Sequence, residues 1–428
     1  MISCWKLNSG ARLVIEEIPY VKSAAVGVFV NVGSRHEPAT MSGASHFIEH
    51  MLFKGTDTRS AREIAEIFET VGGQVNAFTA KEYTCIYART LDESIYTAID
   101  VIFDMLFNSS FQEKDFDTEK NVVVEEINMY EDTPDDLIHD VFAQKMWLGN
   151  SMASPVLGTV ESVNSFERQS IVDYYKKAYV PDNMVISVAG NVEATKIRDA
   201  VEEYLDKQPP AHVTKNSNSV SRYSPFTNLV NKDTEQVQIC IGVPGISYHD
   251  ENRFTQNVMN SILGGGVSSR LFQTLREELG LAYSVYSYPA IYSDTGCYSI
   301  YAGIGPTKIK TFFSHLFKVL NDFCNNGVRT EEVKRAQQLI KSSMYLGLES
   351  VMNRMNRLGR SVLMYNRVTS VDDVIERIFQ VDVDSVNSFS RDLLRIPAFS
   401  LAAIGSDQIL DQVEKEFRQW VENMGGRL

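Results

Sequence analysis

The sequence is poor in cysteine, in positive charge and in long apolar runs, and each shortage argues against a class of protein. Its 5 cysteines are widely spaced and form no Cys-x-x-Cys pair, which argues against a disulfide framework and a cysteine zinc site. The 41 Lys and Arg residues are outnumbered by 55 Asp and Glu residues, and the net charge of −14 argues against nucleic acid and anionic membranes as partners. No apolar run is long enough to span a membrane, and no charged segment followed by an apolar one marks a secretory signal. We therefore expect a cytoplasmic protein.

Histidine is also scarce, with 7 in 428 residues, yet two histidines stand four positions apart in the segment His46-Phe-Ile-Glu49-His50. On a helix, His46 and His50 lie one turn apart on the same face, so both rings can bind one metal ion, and Glu49 lies beside them. Two neutral imidazoles next to an unliganded carboxylate are typical of a zinc ion that activates water. The alternative is a surface helix with two unrelated histidines.

The segment 119–130 offers a third metal ligand. Read as a helix, it places Glu119 and Glu126 seven positions apart on one face among valines, whereas Glu125 points about 100° away. A carboxylate among valines is costly unless a cation or hydrogen bonds compensate its charge. The alternative is a solvated stripe on which both glutamates are ordinary surface charges.

The chain repeats one order of elements. Each half closes with a helix, a proline, a strand, a glycine and a second helix, with Pro181 in the first half and Pro397 in the second. The period is too long for a solenoid and indicates two related domains. The polar, proline-flanked segment 208–225 reads as a linker, so we predict an N-terminal domain over 1–207 and a C-terminal domain over 226–428.

Strands and long helices alternate within each half, which predicts α+β domains of mixed sheet plus helices. In the first half we predict strands over 12–17, 24–32, 82–90 and 184–189, and helices over 95–107, 162–175 and 194–205. In the second half we predict strands over 237–243 and 399–404, a hairpin within 284–304, and helices over 253–263, 269–279, 309–323, 331–346 and 408–421.

The run 46–56, followed by Glu126, closely resembles the zinc motif of the inverzincin peptidases of the pitrilysin and mitochondrial-processing-peptidase group, the M16 family. Glu126 lies 76 positions after His50, close to the spacing of the third zinc ligand in that family. The segments 72–79, 179–184 and 275–284 resemble further motifs of the family, so the resemblance covers nearly the whole chain. It implies Zn²⁺ as cofactor and two related domains that form a clam shell around a catalytic chamber.

The resemblance also implies roles for residues near the zinc and in the second half. Glu49 is the expected general base. Glu119 matches an accessory glutamate seven positions before the third ligand, in agreement with the helix-face argument. Arg276 and Tyr283 match an arginine and a tyrosine that reach toward the scissile peptide and steady the substrate or the tetrahedral oxyanion. The alternative is an arginine in a surface ion pair and a core tyrosine.

Two further segments resemble substrate-binding positions of the family. Asn76, Ala77 and Phe78 match an edge strand that pairs with an extended peptide, and the alternative is an interior strand turn. Asp136 and Asp140 are expected one helical turn apart, where the processing peptidases carry acidic residues that hold a substrate arginine. The alternative is an acidic first turn that complements the helix dipole.

The sequence thus predicts a zinc endopeptidase that hydrolyses peptides or unfolded, presequence-like polypeptides, with a preference for a basic residue near the cut. The resemblance implies a homodimer. Two alternatives stay open: a non-catalytic or partner-dependent M16-like subunit, and a zinc hydrolase of non-peptide substrates. Split heterodimers place the metal motif and the Arg–Tyr pair on different chains, whereas this chain has both, which favours a self-sufficient peptidase.

Overall fold

A computed structural model of the chain describes residues 1–208, 223–394 and 399–423. Most of the predicted linker 208–225, and Pro397, lie outside these residues. The strands are β1 (Ile2–Lys6), β2 (Arg12–Glu17), β3 (Ser23–Val30), β4 (Gln74–Thr79), β5 (Thr84–Leu91), β6 (Met184–Gly190), β7 (Thr227–Asn231), β8 (Val237–Pro244), β9 (Ala282–Ile291), β10 (Gly296–Ile304) and β11 (Ser400–Gly405). The helices are α1 (Ala44–Leu52), α2 (Ala61–Thr70), α3 (Ile95–Asn108), α4 (Glu113–Glu131), α5 (Pro134–Met146), α6 (Val160–Asn164), α7 (Arg168–Ala178), α8 (Ala194–Leu205), α9 (Arg253–Leu263), α10 (Ile309–Asn325), α11 (Thr330–Gly347), α12 (Val351–Tyr365), α13 (Val371–Phe379), α14 (Val383–Leu393) and α15 (Asp407–Asn423).

The described residues form two compact units. Unit 1 comprises Met1–Asn128, the described part of Ser154–Asn218, and Tyr345–Thr369. Unit 2 comprises Met129–Ala153 and the described parts of Ser219–Met344 and Ser370–Leu428. Each unit has one sheet and its own hydrophobic core.

Five strands of each unit follow the same topology. The sheet of unit 1 has the order β1-β2-β6-β3-β5-β4, and that of unit 2 has the order β7-β11-β8-β10-β9. The pairs β2–β6 and β7–β11 are parallel, and every other pair in both sheets is antiparallel. With β1 set aside, the two sheets match strand for strand. This confirms the α+β fold and the duplicated architecture that the sequence predicted.

The central strands are apolar runs because helices cover both faces of each sheet. All the residues of β6 and β11 are buried, and so are seven of the eight in β3. In unit 1 the helix that packs across β2, β3 and β6 is α12, through Val351, Met355, Leu358 and Val362. In unit 2 the helix that packs across β7, β8 and β11 is α5, through residues that include Ile138, Val141 and Phe142.

The helices α5 and α12 therefore belong to the unit built mainly from the other half of the chain. The sequence division into 1–207 and 226–428 describes the order of the chain but not the packing of these two helices. The physical reason is that an apolar stripe on a helix shows that one face is buried, and does not show which sheet buries it.

Most predicted elements are confirmed within a few residues, and two differ. The predicted helix 162–175 is two helices, α6 and α7, because Phe166 turns into the core and Glu167 has extended backbone with φ −92° and ψ 129°. The predicted helix 269–279 is a π-helix over Phe272–Glu278. Among the described residues, no helix has both the length and the apolar character that crossing a bilayer requires.

Candidate metal centre and active site

The start of α1 fixes the orientation of the histidine pair. Gly43 precedes the helix with φ 91°, a left-handed conformation that glycine adopts without strain, and a Cβ there would lie 2.6 Å from a backbone oxygen. The buried carboxylate of Glu37 accepts hydrogen bonds of 2.7 Å from the backbone N–H groups of Gly43 and Ser45. Because amide groups at a helix start otherwise lack partners, these bonds anchor the turn that carries His46.

The three predicted ligands converge. The Nε2 atoms of His46 and His50 are 3.2 Å apart, and Oε2 of Glu126 lies 3.7 Å from the first and 3.4 Å from the second. A tetrahedral zinc ion with bonds of about 2.0–2.2 Å holds its ligand atoms about 3.3–3.6 Å apart. The donor set and its spacing therefore fit zinc. Within the residues that the structure describes, this is the one such cluster of three His, Cys, Asp or Glu side chains.

Glu119 fixes the tautomer of His50. Its Oε1 lies 2.7 Å from Nδ1 of His50, and its Oε2 lies 2.6 Å from the ammonium of Lys54. An ionised carboxylate only accepts hydrogen bonds, so Nδ1 of His50 donates, and in the neutral ring the lone pair then lies on Nε2, where it can bind a metal. Glu119 thus lies behind the predicted ligand His50 and is 2% exposed, so its charge is compensated by partners as the helix-face argument required.

The pKa values of the two imidazoles move in opposite directions. Burial, and then the neighbouring His50, lower the pKa of His46 to about 4. Burial also acts to lower the pKa of His50, but its hydrogen bonds with Glu119 and Glu126 outweigh burial and raise the pKa to about 9. In the absence of a cation, the cluster therefore keeps His46 neutral and holds a proton on His50 between two carboxylates. A bound metal would take the place of that proton.

Glu49 lies on α1 next to the ligands, without joining them. Its Oε2 accepts a 2.6 Å hydrogen bond from the hydroxyl of Thr79, at the end of β4. Burial raises the pKa of Glu49, while the bond from Thr79 and the charge of His50 lower it in part. A partly buried carboxylate with a raised pKa, held beside a metal site, is suited to proton transfer.

The predicted substrate strand is an edge strand. Asn76, Ala77 and Phe78 lie on β4, which ends the sheet of unit 1 and pairs with β5. Asn76 is exposed, Ala77 is buried and Phe78 is half-buried. The Asn76 side chain accepts a 2.8 Å hydrogen bond from the backbone N–H of Ala77. The alternative of an interior strand turn is therefore wrong, whereas the binding role stays a prediction.

The structure brings Arg276 and Tyr283 together within unit 2. The guanidinium carbon of Arg276 lies 5.6 Å from the centre of the Tyr283 ring and 4.7 Å from that of Phe272. Tyr283 is 75% exposed, which excludes a core tyrosine. Arg276 lies 3.8 Å from Glu277, a long contact for an ion pair. Their predicted role in steadying the substrate or the oxyanion stays a prediction.

Asp136 and Asp140 lie one turn apart on α5 in unit 2, as predicted. The hydroxyl of Tyr130 donates to the backbone oxygen of Asp136 at 3.1 Å, and burial together with both aspartates raises the pKa of Tyr130. Between them in sequence, His139 contacts the hydroxyls of two tyrosines of β9 through its ring nitrogens. The structure thus places both aspartates on one helix, as predicted, and their preference for a substrate arginine stays a prediction.

Sequence reasoning missed two residues that contact the site. Thr79 holds Glu49, and the available signal was its place at the end of the predicted edge strand. Lys54 holds Glu119, and the available signal was its position four residues after His50. Both are visible in the sequence only once the partners of Glu49 and Glu119 are known.

Comparison with known proteins agrees with this site. The family model described as insulinase (peptidase family M16) matches residues 12–160, and the model described as peptidase M16 inactive domain matches residues 165–340. The chain is 41% identical over 393 residues to the Bacillus subtilis protein described as uncharacterized zinc protease YmxG, covering 92% of this chain and 96% of that protein. It is 42% identical over 403 residues to an uncharacterized zinc protease of Streptomyces coelicolor, covering 92% and 88%.

The fold also matches solved structures. A Pseudomonas fluorescens structure described as a peptidase M16 inactive domain aligns with a TM-score of 0.89 over 95% of this chain and 98% of that one, at 17% sequence identity. At that identity the match supports the fold alone. The family assignment rests on the sequence relatives and the family models. They show that this chain, which brings His46, His50 and Glu126 together, belongs to the M16 family of zinc peptidases.

Proposed function

We propose that this protein is a zinc endopeptidase that hydrolyses peptides or unfolded polypeptides bound in an extended conformation. The observation that carries the proposal is the convergence of His46, His50 and Glu126 at zinc spacing, with Glu49 held beside them by Thr79. Relatives described as zinc proteases support the same activity. An enclosed chamber around the site, as the resemblance implies, is part of this proposal.

The chemistry divides among the residues of the site. When bound, Zn²⁺ polarises the scissile carbonyl and lowers the pKa of a water molecule to about 7. Glu49 accepts the proton of the attacking water at Oε1, the oxygen that Thr79 does not occupy, and returns it to the leaving amine. Glu119 holds the ring of His50 in one tautomer. Arg276 and Tyr283 steady the substrate or the oxyanion in this proposal.

The edge of β4 supplies the peptide-binding surface. An extended peptide that adds to an edge strand gains backbone hydrogen bonds without sequence preference. The N–H of Ala77 is now bonded to the side chain of Asn76, so a peptide that uses this N–H must first displace that side chain.

A direct assay tests the activity. The purified protein, loaded with one equivalent of zinc, is incubated with quenched fluorescent peptides, and cleavage is measured before and after chelation and after zinc is added back. We expect cleavage that chelation abolishes and zinc restores. Zinc binding with no cleavage of any peptide would refute the proposed activity and favour the non-catalytic subunit or a hydrolase of non-peptide substrates.

We further propose that Asp136 and Asp140 favour substrates with arginine near the cut. Charge-assisted hydrogen bonds to a guanidinium contribute about 1.5–3 kcal/mol, or about 10–150-fold in kcat/KM between matched Arg and Ala peptides. The Asp136→Asn/Asp140→Asn variant should lose most of this ratio, whereas Asp135→Asn, an exposed neighbour on the same helix, should keep it. An Arg preference unchanged in the double variant would place the basic-residue subsite elsewhere.

The resemblance also implies a homodimer, which we retain as a proposal. Sedimentation equilibrium of the zinc-loaded protein should give twice the chain mass of 48.2 kDa. A monomer that is fully active would exclude a requirement for the second chain.

A further inference from the structure

A buried carboxylate separates the zinc ligand His50 from a lysine that the mechanism above does not use. Glu119 lies on α4 and is 2% exposed, yet each of its oxygens has a cationic or donor partner. Oε1 is 2.7 Å from Nδ1 of His50, and Oε2 is 2.6 Å from the ammonium of Lys54. The three groups thus form a chain from the ammonium to the imidazole.

We propose that Lys54 is a positioning residue for the metal centre, which acts through Glu119 on His50. The ammonium occupies Oε2, and this leaves Oε1 directed at Nδ1 of His50. That bond in turn holds Nδ1 in its protonated form and directs Nε2 at the other two ligands. This inference rests on the proposed zinc site and adds to it the residue that holds its supporting carboxylate in place.

The backbone gives the lysine little freedom in direction. Lys54 directly follows the last turn of α1, where its N–H donates to the backbone oxygen of Met51 at 3.1 Å. The next residues form a turn tied to α3, since Thr56 donates a 2.7 Å hydrogen bond to the buried carboxylate of Asp104. The backbone of Lys54 is therefore held between the end of α1 and an anchored turn, four positions after His50.

The energetics distinguish this pair from an ordinary surface ion pair. Exposed ion pairs contribute little because water screens both charges. Here the side chain of Lys54 is 36% exposed, but that of its partner Glu119 is 3% exposed, so the carboxylate depends on the protein for its compensation. Loss of the ammonium would leave one oxygen of Glu119 without its cation and would weaken the restraint on His50.

The test is a measurement of zinc affinity by competition with a chromophoric chelator, which needs no peptidase activity. Lys54→Met keeps most of the stem and removes the charge. We expect it to weaken zinc binding by about 3–30-fold, because groups that support metal ligands typically contribute about 10–100-fold and Lys54 is one contact further out. Lys54→Arg should stay within about 3-fold of the wild type. Lys114→Met, an exposed lysine on α4, is the control for the change in net charge.

A double-mutant cycle shows whether the effect passes through Glu119. Glu119→Gln should weaken zinc binding at least as much as Lys54→Met, and the double variant should bind no more weakly than Glu119→Gln alone. Circular dichroism and thermal unfolding of each variant show whether it folds.

Two results would overturn the proposal. One is a Lys54→Met protein that folds and binds zinc like Lys114→Met, and the other is a double variant whose losses simply add. A wild-type protein that binds zinc but cleaves no peptide would refute the proposed function and leave this inference standing.

Discussion

The two units share a sheet topology but differ in the polar and charged side chains that their helices carry. In unit 1, α1 follows β3 and presents His46 and His50, which converge with Glu126 on a position suited to a cation. In unit 2, α9 follows β8 in the same place and carries Gln256 and Asn260 at the same spacing of four. The side-chain oxygen of Asn260 accepts hydrogen bonds from two hydroxyls of its own unit, whereas the side-chain amide of the buried Gln256 has no hydrogen-bond partner among the described residues.

The carboxylates show the same contrast. Glu332 on α11 of unit 2 is buried, and Arg270 holds both of its oxygens at 2.9 and 2.8 Å. The carboxylate of Glu126 in unit 1 lies beside the two imidazoles instead. The shared topology therefore does not by itself supply a metal site: unit 1 adds His46, His50 and Glu126 to it, whereas Arg270 compensates the buried Glu332 of unit 2.

The largest effect is expected when unit 1 loses one of its metal ligands. Replacement of the ligand Glu126 by Gln should lower the zinc affinity and reduce kcat/KM by at least about 1,000-fold, because a carboxamide is a poor substitute for an anionic ligand. The neighbouring Glu125 is exposed, so Glu125→Gln should retain zinc and activity. Zinc content after dialysis and peptide turnover measure both variants. The reverse outcome, with zinc lost only from Glu125→Gln, would refute the ligand assignment.

A second change separates metal binding from chemistry within unit 1. Glu49→Gln removes the proton acceptor but keeps a group that Thr79 can bond. We expect zinc content to remain at the wild-type level and kcat to fall by about 100–10,000-fold. A variant that retains more than about a tenth of the wild-type kcat would exclude Glu49 as the general base.

A third prediction concerns the buried carboxylate of Glu332 in unit 2, whose charge two arginines compensate. Burial by itself raises the pKa of Glu332, but the hydrogen bonds from Arg270 and Arg329 outweigh burial and lower the pKa to about 2. A lowered folded-state pKa stabilises the fold above the ordinary value of 4.5, and this stabilisation is lost as the pH falls from 4.5 toward about 2.

Urea unfolding at several pH values measures this contribution. Glu332→Gln should lower the free energy of unfolding by about 2–4 kcal/mol at pH 7, and the gap to the wild type should narrow below about pH 4.5. Glu331→Gln, an exposed neighbour, is the control. A gap that stays constant from pH 7 to pH 3 would show that the effect is packing and not charge.

The smallest predicted effects concern α5 and α12, the two helices that pack on the sheet formed mainly by the other half of the chain. A Cβ on Gly242 of β8 would lie 2.7 Å from the Phe142 ring of α5 and 2.8 Å from a backbone oxygen, whereas a Cβ on Gly27 of β3 would lie 2.4 Å from the flexible Met355 of α12. We expect Gly242→Ala to lower the free energy of unfolding by about 2–3 kcal/mol and Gly27→Ala by about 1 kcal/mol.

Gly405→Ala serves as the control in urea unfolding, because its Cβ would meet neighbours at 3.5 Å or more. If both substitutions matched this control, close packing of α5 and α12 on the two sheets would be wrong. If Gly27→Ala cost more than Gly242→Ala, the flexibility of Met355 would not be the deciding factor.

The sequence by itself determined the local features of this protein. The spacing of His46, Glu49 and His50 places them on one turn of helix, and the spacing of Glu119 and Glu126 places them on one face, because helical periodicity depends on neighbours in the chain. The alternation of strands and helices predicted the α+β class for the same reason, and the repeated order of elements at the end of each half predicted the duplication. The family resemblance assigned Glu126 as the third ligand and Glu119 as the accessory glutamate, and the structure brings both to the histidines.

Only the tertiary structure decided which distant groups meet. Thr79 is 30 residues from Glu49, and Lys54 meets Glu119 across 65 positions, so no local periodicity links either pair. The sequence also did not show that α5 and α12 each pack on the sheet of the other half of the chain. An apolar helix face indicates burial, and only the packed structure shows which sheet buries it. Contacts of this kind depend on how complete elements pack, and the sequence specifies them only through the whole fold.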